Sequence, residues 1–173
     1  MSEERVYGVV LGQVKDVNDP QGEGRVQVEF PWMGGKSDNT WAPVASLMAG
    51  NGRGAWFMPE VGDEVLVAFD HGDVKHPYVI GFLWSGKDNP PYEHVRERAI
   101  RSVNGHAIRL LDSTPEGGSL GAVVIEDAHG NRITLSNGKI KIQSVALLEI
   151  EAPVISLGGP GYRRVVTPSN NPI

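Results

Sequence analysis

The sequence predicts an all-β chain, a small five-stranded barrel followed by a short β-helix. Three observations carry this. Glycine (22), proline (12) and β-branched residues interrupt every window long enough for an amphipathic helix; residues 6–86 hold five short alternating segments divided by turn residues; and from residue 133 apolar pairs return every seven or eight positions.

The five segments come in order. Val6 to Val17 alternates loosely and stops at Asn18-Asp19-Pro20, a turn signal. Gly24 to Phe30 (GRVQVEF) sets Val26, Val28 and Phe30 on one face until Pro31 removes a ladder donor. Thr40 to Leu47 is third, confined to an edge or a bend by Pro43. Glu64 to Phe69 (EVLVAF) and Tyr78 to Trp84 (YVIGFLW) follow, joined through Asp70-His71-Gly72-Asp73 as a hairpin turn. Five short strands suit a closed barrel; the OB-fold is the commonest five-stranded form, though length alone does not separate it from an SH3-like barrel. Asn89-Pro90-Pro91 makes the stretch from Ser85 to Tyr92 extended and stiff, which places the domain boundary there.

In the second half the pairs Ile133/Leu135, Ile140/Ile142, Leu148/Ile150 and Ile155/Leu157 begin 7, 8 and 7 residues apart, separated by breakers such as Asn137-Gly138 and Ala152-Pro153. Ile108/Leu110 and Val124-Ile125 are earlier, less regular members. A short strand–turn period marks a β-solenoid. Two apolar side chains per unit cannot enclose a core, and units this short cannot circle an axis alone. Three chains wound about one axis complete each turn, bury the pairs centrally and leave fewer open edges. The expectation is an intertwined homotrimer whose core is those eight residues.

Bulk properties exclude several classes. A formal charge of −5 argues against a broad phosphate-binding surface and hence against nucleic acid as a partner. With no cysteine there is no disulfide, thiolate metal site or Cys nucleophile. MSEERVYGVV lacks the basic and apolar regions of a signal peptide, and no window approaches the roughly 18 apolar residues of a membrane span, so cytoplasmic synthesis is expected.

The chemical-looking features reduce to turns. Asp70, His71, Asp73 and His76 are metal-capable types but sit in turn grammar. Gly50, Gly52 and Gly54 lack the Gly-Lys-Ser/Thr ending of a phosphate loop. Glu60, Asp63 and Glu64 read as a solvated turn, and Arg163-Arg164 as solvated charge. Trp32, Trp41, Trp56, Trp84 and Phe57, without interleaved basic residues, read as core and subunit-interface positions rather than base-stacking platforms. No G-x-S-x-G or H-E-x-x-H frame is present. The chain is expected to be no enzyme and to use no cofactor.

The ordered series Asn18-Asp19-Pro20, Gly24-Arg25-Val26, Trp41-Ala42-Pro43-Val44, Pro59-Glu60-Val61-Gly62-Asp63-Glu64-Val65 and Pro77-Tyr78-Val79-Ile80-Gly81 resembles the OB domain of the contractile-tail spike family, which includes phage baseplate spikes and the VgrG proteins of type VI secretion. Ile125-Glu126-Asp127, Gly130-Asn131 and the repeats from Ile133 to Leu157 resemble that family's needle. The resemblance implies an N-terminal tail (1–5), an OB collar (6–86), a linker leading into the β-helix (87–117), a trimeric needle (118–160) and a tip segment (161–173). It further implies a structural spike seated on a separate baseplate hub protein, puncturing a target envelope on sheath contraction, assembled into a virion tail or injection particle, and in transient contact with the target membrane. The tip segment folds over the apex or receives a separate PAAR-like tip protein. The last histidine is His129, so no histidine-held apical metal is implied. Two alternatives remain: a single-stranded nucleic-acid-binding OB protein with an oligomerising tail, and a glycan-binding tail fibre component.

Overall fold

The first strand is the central strand of the sheet that curls into a barrel, with two strands on either side of it. In the computed structural model, which describes residues 5–34, 40–113 and 120–166, the chain divides after Pro90 into two units. The first contains β1 (Val9–Asp16), β2 (Arg25–Glu29), β3 (Trp41–Pro43), a small hairpin of β4 (Ala49–Gly50) and β5 (Arg53–Gly54), β6 (Glu64–Phe69) and β7 (Pro77–Leu83).

The main sheet runs β3-β2-β1-β6-β7, antiparallel throughout. Its two ends meet where Val44 bridges Val79 in parallel and the Ala45 amide donates to the Val79 carbonyl at 2.8 Å. An antiparallel five-stranded sheet curled until one parallel contact closes it is OB-like, which resolves the choice that length leaves open. Alternation determines the filling: Val14, Val26, Val28, Phe30, Ala42, Val65, Val67, Phe69 and Val79 form the buried core. β-branched residues dominate because they hold few rotamers on a pleated surface.

The tryptophans depart from one of the two placements expected of them, the core. Trp32, Trp56 and Trp84 are exposed and Trp41 half-buried, so none belongs to the core. The barrel is filled instead by valines with Ala42, Phe30 and Phe69.

The turn after β1 explains one motif. The Asp19 carboxylate accepts hydrogen bonds from the amides of Gln21, Glu23 and Arg25 and from the Arg25 guanidinium at 2.8 and 3.1 Å. That guanidinium, ahead of the amides, holds the Asp19 carboxyl far below the usual carboxylate range. Gly22 and Gly24 both adopt positive φ here, and a side chain at Gly24 would press on the Trp56 ring. The motif is thus a folded clasp joining β1 to β2.

The second unit begins with a five-stranded antiparallel meander: β8 (Glu97–Arg101), β9 (Ala107–Leu111), β10 (Ala122–Glu126), β11 (Arg132–Ser136) and β12 (Lys139–Gln143), each paired with its sequence neighbours. Asn137 (φ 50°) and Gly138 (φ 71°) join β11 to β12 in a two-residue turn with positive φ at both positions, the type I′ geometry that Asn-Gly favours. Residues 144–154 contain no strand, and β13 (Ile155–Gly159) and β14 (Tyr162–Val166) make a separate hairpin. The expected tip segment therefore starts inside a strand pair; residues 167–173 and most of the expected N-terminal tail lie outside the described residues.

Gly12 faces inward on β1, where an added methyl would collide with Val28 Cγ1, whereas Gly86 faces open space. Gly12→Ala is expected to cost about 1–3 kcal/mol in urea unfolding through overpacking. Gly86→Ala is expected to be near neutral.

Candidate assembly surface

The meander strands have the sequences ERAIR, AIRLL, AVVIE, RITLS and KIKIQ, alternating strongly enough to separate two faces. Register aligns them. Ile100, Ile108, Ile125, Ile133 and Ile142 stand directly opposite one another across five strands, an unbroken row of isoleucines. A second row two residues away holds Leu110, Val123, Leu135 and Ile140, meeting Arg98 on β8. All nine aliphatic side chains are exposed, from 38% at Ile133 to 69% at Ile140.

The opposite face is closed by charge. Arg109 donates through Nε to Glu97 at 2.5 Å and through Nη1 to Glu126 at 3.0 Å, while Arg132 reaches Glu126 at 2.6 Å. Tyr92 lies against the Arg109 guanidinium, 5.0 Å from ring centroid to Cζ. Burial pushes the Glu126 carboxyl up, but Arg109 and Arg132 together hold it below its ordinary value. Val124 and Ala107 are buried among these groups. One face of the sheet is thus satisfied, and the other shows water a contiguous aliphatic surface.

The residues expected to form a trimer core divide under this geometry. Ile133 and Leu135 stand opposite Ile142 and Ile140 in one antiparallel hairpin, so these pairs are not successive turns of a helix wound in one direction. The chain doubles back because the Asn137-Gly138 turn reverses it, where the sequence reading treats these two residues only as a breaker. Leu148 and Ile150 are exposed and belong to no strand. Ile155 and Leu157 lie on β13 opposite Val166 and Arg164. Ile100 extends the same surface into the stretch expected to be linker, and Val124 points to the other face from Ile125. The missed signal is that ERAIR and AIRLL alternate as well as the later pairs, with arginines masking the period.

The polar clusters hold their own turns. Asp73 accepts from the Lys75 amide and contacts His76 Nδ1 at 3.0 Å, and His71 adopts positive φ. Asp63 accepts from the Glu60 amide. Gly50 to Gly54 form the β4–β5 hairpin, and Arg163 and Arg164 lie on β14. Among the described residues no three His, Asp or Glu side chains converge as a metal site would need, and no helix is long and apolar enough to cross a membrane.

Residues 10–84, almost the whole barrel, match the injector OB domain of type VI secretion systems and phage baseplates. Over 133 residues the chain is 40% identical to the type VI secretion system spike protein VgrG5 of Pseudomonas aeruginosa, an alignment covering 70% of this chain and 16% of that protein. The chain belongs to the VgrG-like baseplate spike family. Spike protein VgrG4b of the same organism is 38% identical over 133 residues, again 70% of this chain and 16% of the relative. The actin cross-linking toxin VgrG1 of Vibrio cholerae is 31% identical over 103 residues, 51% of this chain and 9% of the toxin. The chain thus spans about a sixth of the length of the two spike relatives. Its barrel is the OB-fold domain of that family.

The β10–β11 loop offers a pH test of the sheet. Asp127 accepts from the Asn131 side chain at 2.7 Å and from the amides of His129 and Asn131 at 2.9 Å. The Asn131 side chain foremost, then the backbone amides, bring its pKa down to about 2. A depressed carboxylate stabilises above its unfolded pKa of about 4 and loses that contribution as pH falls through the folded value. The stability difference between wild type and Asp127→Asn is expected to be constant above about pH 4 and to close towards pH 2, read by thermal melts across pH.

Proposed function

We propose that this chain is the central spike component of a contractile injection system, acting as a homotrimer that pierces a target envelope mechanically. The observation that carries the reading is the aliphatic face of β8–β12, which no described residue of its own unit covers. Fully burying one such side chain is worth about 1.5–3 kcal/mol, so nine together make a strong drive to associate. Three copies turning these faces inward about one axis give a continuous aliphatic core with the charged networks outside. Cyclic closure also consumes the surface, so growth stops at a defined number of chains.

In this reading residues 6–86 form the collar, seated on a separate baseplate hub protein. Residues 87–117 lead in and begin the apolar face, 118–160 form the needle, in which β10–β12 pair within each chain and residues 144–154 intertwine with neighbouring chains, and 161–173 make a tip that meets the target membrane transiently or carries a PAAR-like tip protein. Leu148 and Ile150, which belong to no strand, find strand partners on neighbouring chains, which would account for an alternating segment without a partner of its own. The work is mechanical and needs no cofactor or catalytic group. The protein is made in the cytoplasm and loaded into the particle. Chains threaded through one another resist force because separation requires many contacts to break together, which lowers the unfolding rate.

The test is three substitutions, two on the aliphatic face and one on the opposite face. Ile125→Asp and Ile142→Asp each force three carboxylates towards one axis and are expected to reduce the assembly to monomers in sedimentation velocity. Lys141→Asp, on the other face, is expected to leave it intact. Unimpaired trimers in all three variants would overturn the reading.

A further inference from the structure

The barrel carries two apolar surfaces of its own, apart from the face just described. The first is a stripe on the outside of β1, β6 and β7, where Val9, Ala68 and Tyr78 align in one row and Leu11, Leu66 and Gly81 in the next. Gly81 has nothing within 4 Å of where a side chain would begin, so the stripe is dented between Leu11, Tyr78 and the bulged Ile80, all exposed. Its third row is Gln13, Glu64 and Leu83, and Glu64 is the only charged residue in residues 9–13, β6 and β7.

The second surface projects. The β4–β5 hairpin is tied at its base by the Ala55 amide donating to the Met48 carbonyl at 2.9 Å and by the Ser46 hydroxyl donating to the Ala55 carbonyl at 2.5 Å. It presents Leu47 (95% exposed), Met48, Trp56 and Phe57 to solvent. Arg53 is the only charged residue between 45 and 59. Among the described residues neither Arg53 nor Glu64 has an ion-pair or hydrogen-bonding side-chain partner.

We propose that the β4–β5 hairpin of one copy docks on the β1–β6–β7 stripe of the next, its apolar residues entering the dent at Gly81 and Arg53 pairing with Glu64. This rests on the homotrimer reading and names the contact that closes the collar. The occupant is a second copy because the charges are complementary, Arg53 on the projecting hairpin and Glu64 at the end of the stripe, in a groove that Leu11, Gln13, Lys87 and Asp88 also line. A three-fold ring also requires heterologous contact, in which one patch meets a different patch on the neighbour. Two distinct patches on each barrel supply that.

The absence of cysteine makes the test specific. A disulfide needs Cα atoms about 4.4–6.8 Å apart, closer than an Arg–Glu pair, so a short bis-maleimide is the better bridge. Arg53→Cys/Glu64→Cys is expected to convert in dilute solution from a monomer band to linked dimers and trimers on a denaturing gel, with neither single variant linking. As a second variant set, Arg53→Glu and Glu64→Arg are each expected to weaken a collar made of residues 1–90 within the full chain, seen as loss of protection from amide exchange at the hairpin, and the double reversal to restore it. A trimer by mass without linking or rescue would overturn this docking and leave the trimer standing. A monomer would overturn both.

Discussion

An aliphatic sheet face with no core beneath it is the constraint on which the second half of this molecule depends. The meander can satisfy its charged face alone, because Arg109 and Arg132 lie within reach of Glu97 and Glu126 and Tyr92 covers the guanidinium. It cannot do the same for five isoleucines in a cross-strand row. Adding strands to the meander would lengthen the face without covering it. No described residue of the unit covers it, and in the proposed trimer identical chains would supply faces of the same width and register.

The barrel is the opposite case. Its sheet curls until Val44 reaches Val79, the two ends close on nine buried residues, and the Asp19–Arg25 clasp fixes the corner between β1 and β2. Such a unit has its own core and can serve as a rigid platform. The chain thus joins a self-sufficient module to one that, in the proposed trimer, association would complete.

Much of this is legible in the residues. EVLVAF spans β6 to the residue, and GRVQVEF brackets β2, because period-two alternation over a closed core is the strongest strand signal. The loose pattern from Val6 gives the first strand too early: the Val6 amide donates to the Gly72 carbonyl instead of joining the ladder. Aromatic residues mislead, since the exposed Trp32, Trp56 and Trp84 serve surfaces and not the core. In the second half, periodicity finds Ile133, Leu135, Ile140 and Ile142 but not the direction of travel. That depends on the backbone at Asn137 and Gly138, whose paired positive φ turns a repeat into a hairpin. Leu148 and Ile150 alternate as strand residues do, yet alternation alone does not say which chain supplies the partner.

The measurement that bears most directly on the central claim is the solution mass of the purified protein by light scattering over a dilution series. The chain is 18.7 kDa, so three copies give about 56 kDa (3 × 18.7). That mass, held constant on dilution, is the predicted result. A stable monomer at every concentration would contradict the account, because nine exposed aliphatic side chains would then face water with nothing to cover them.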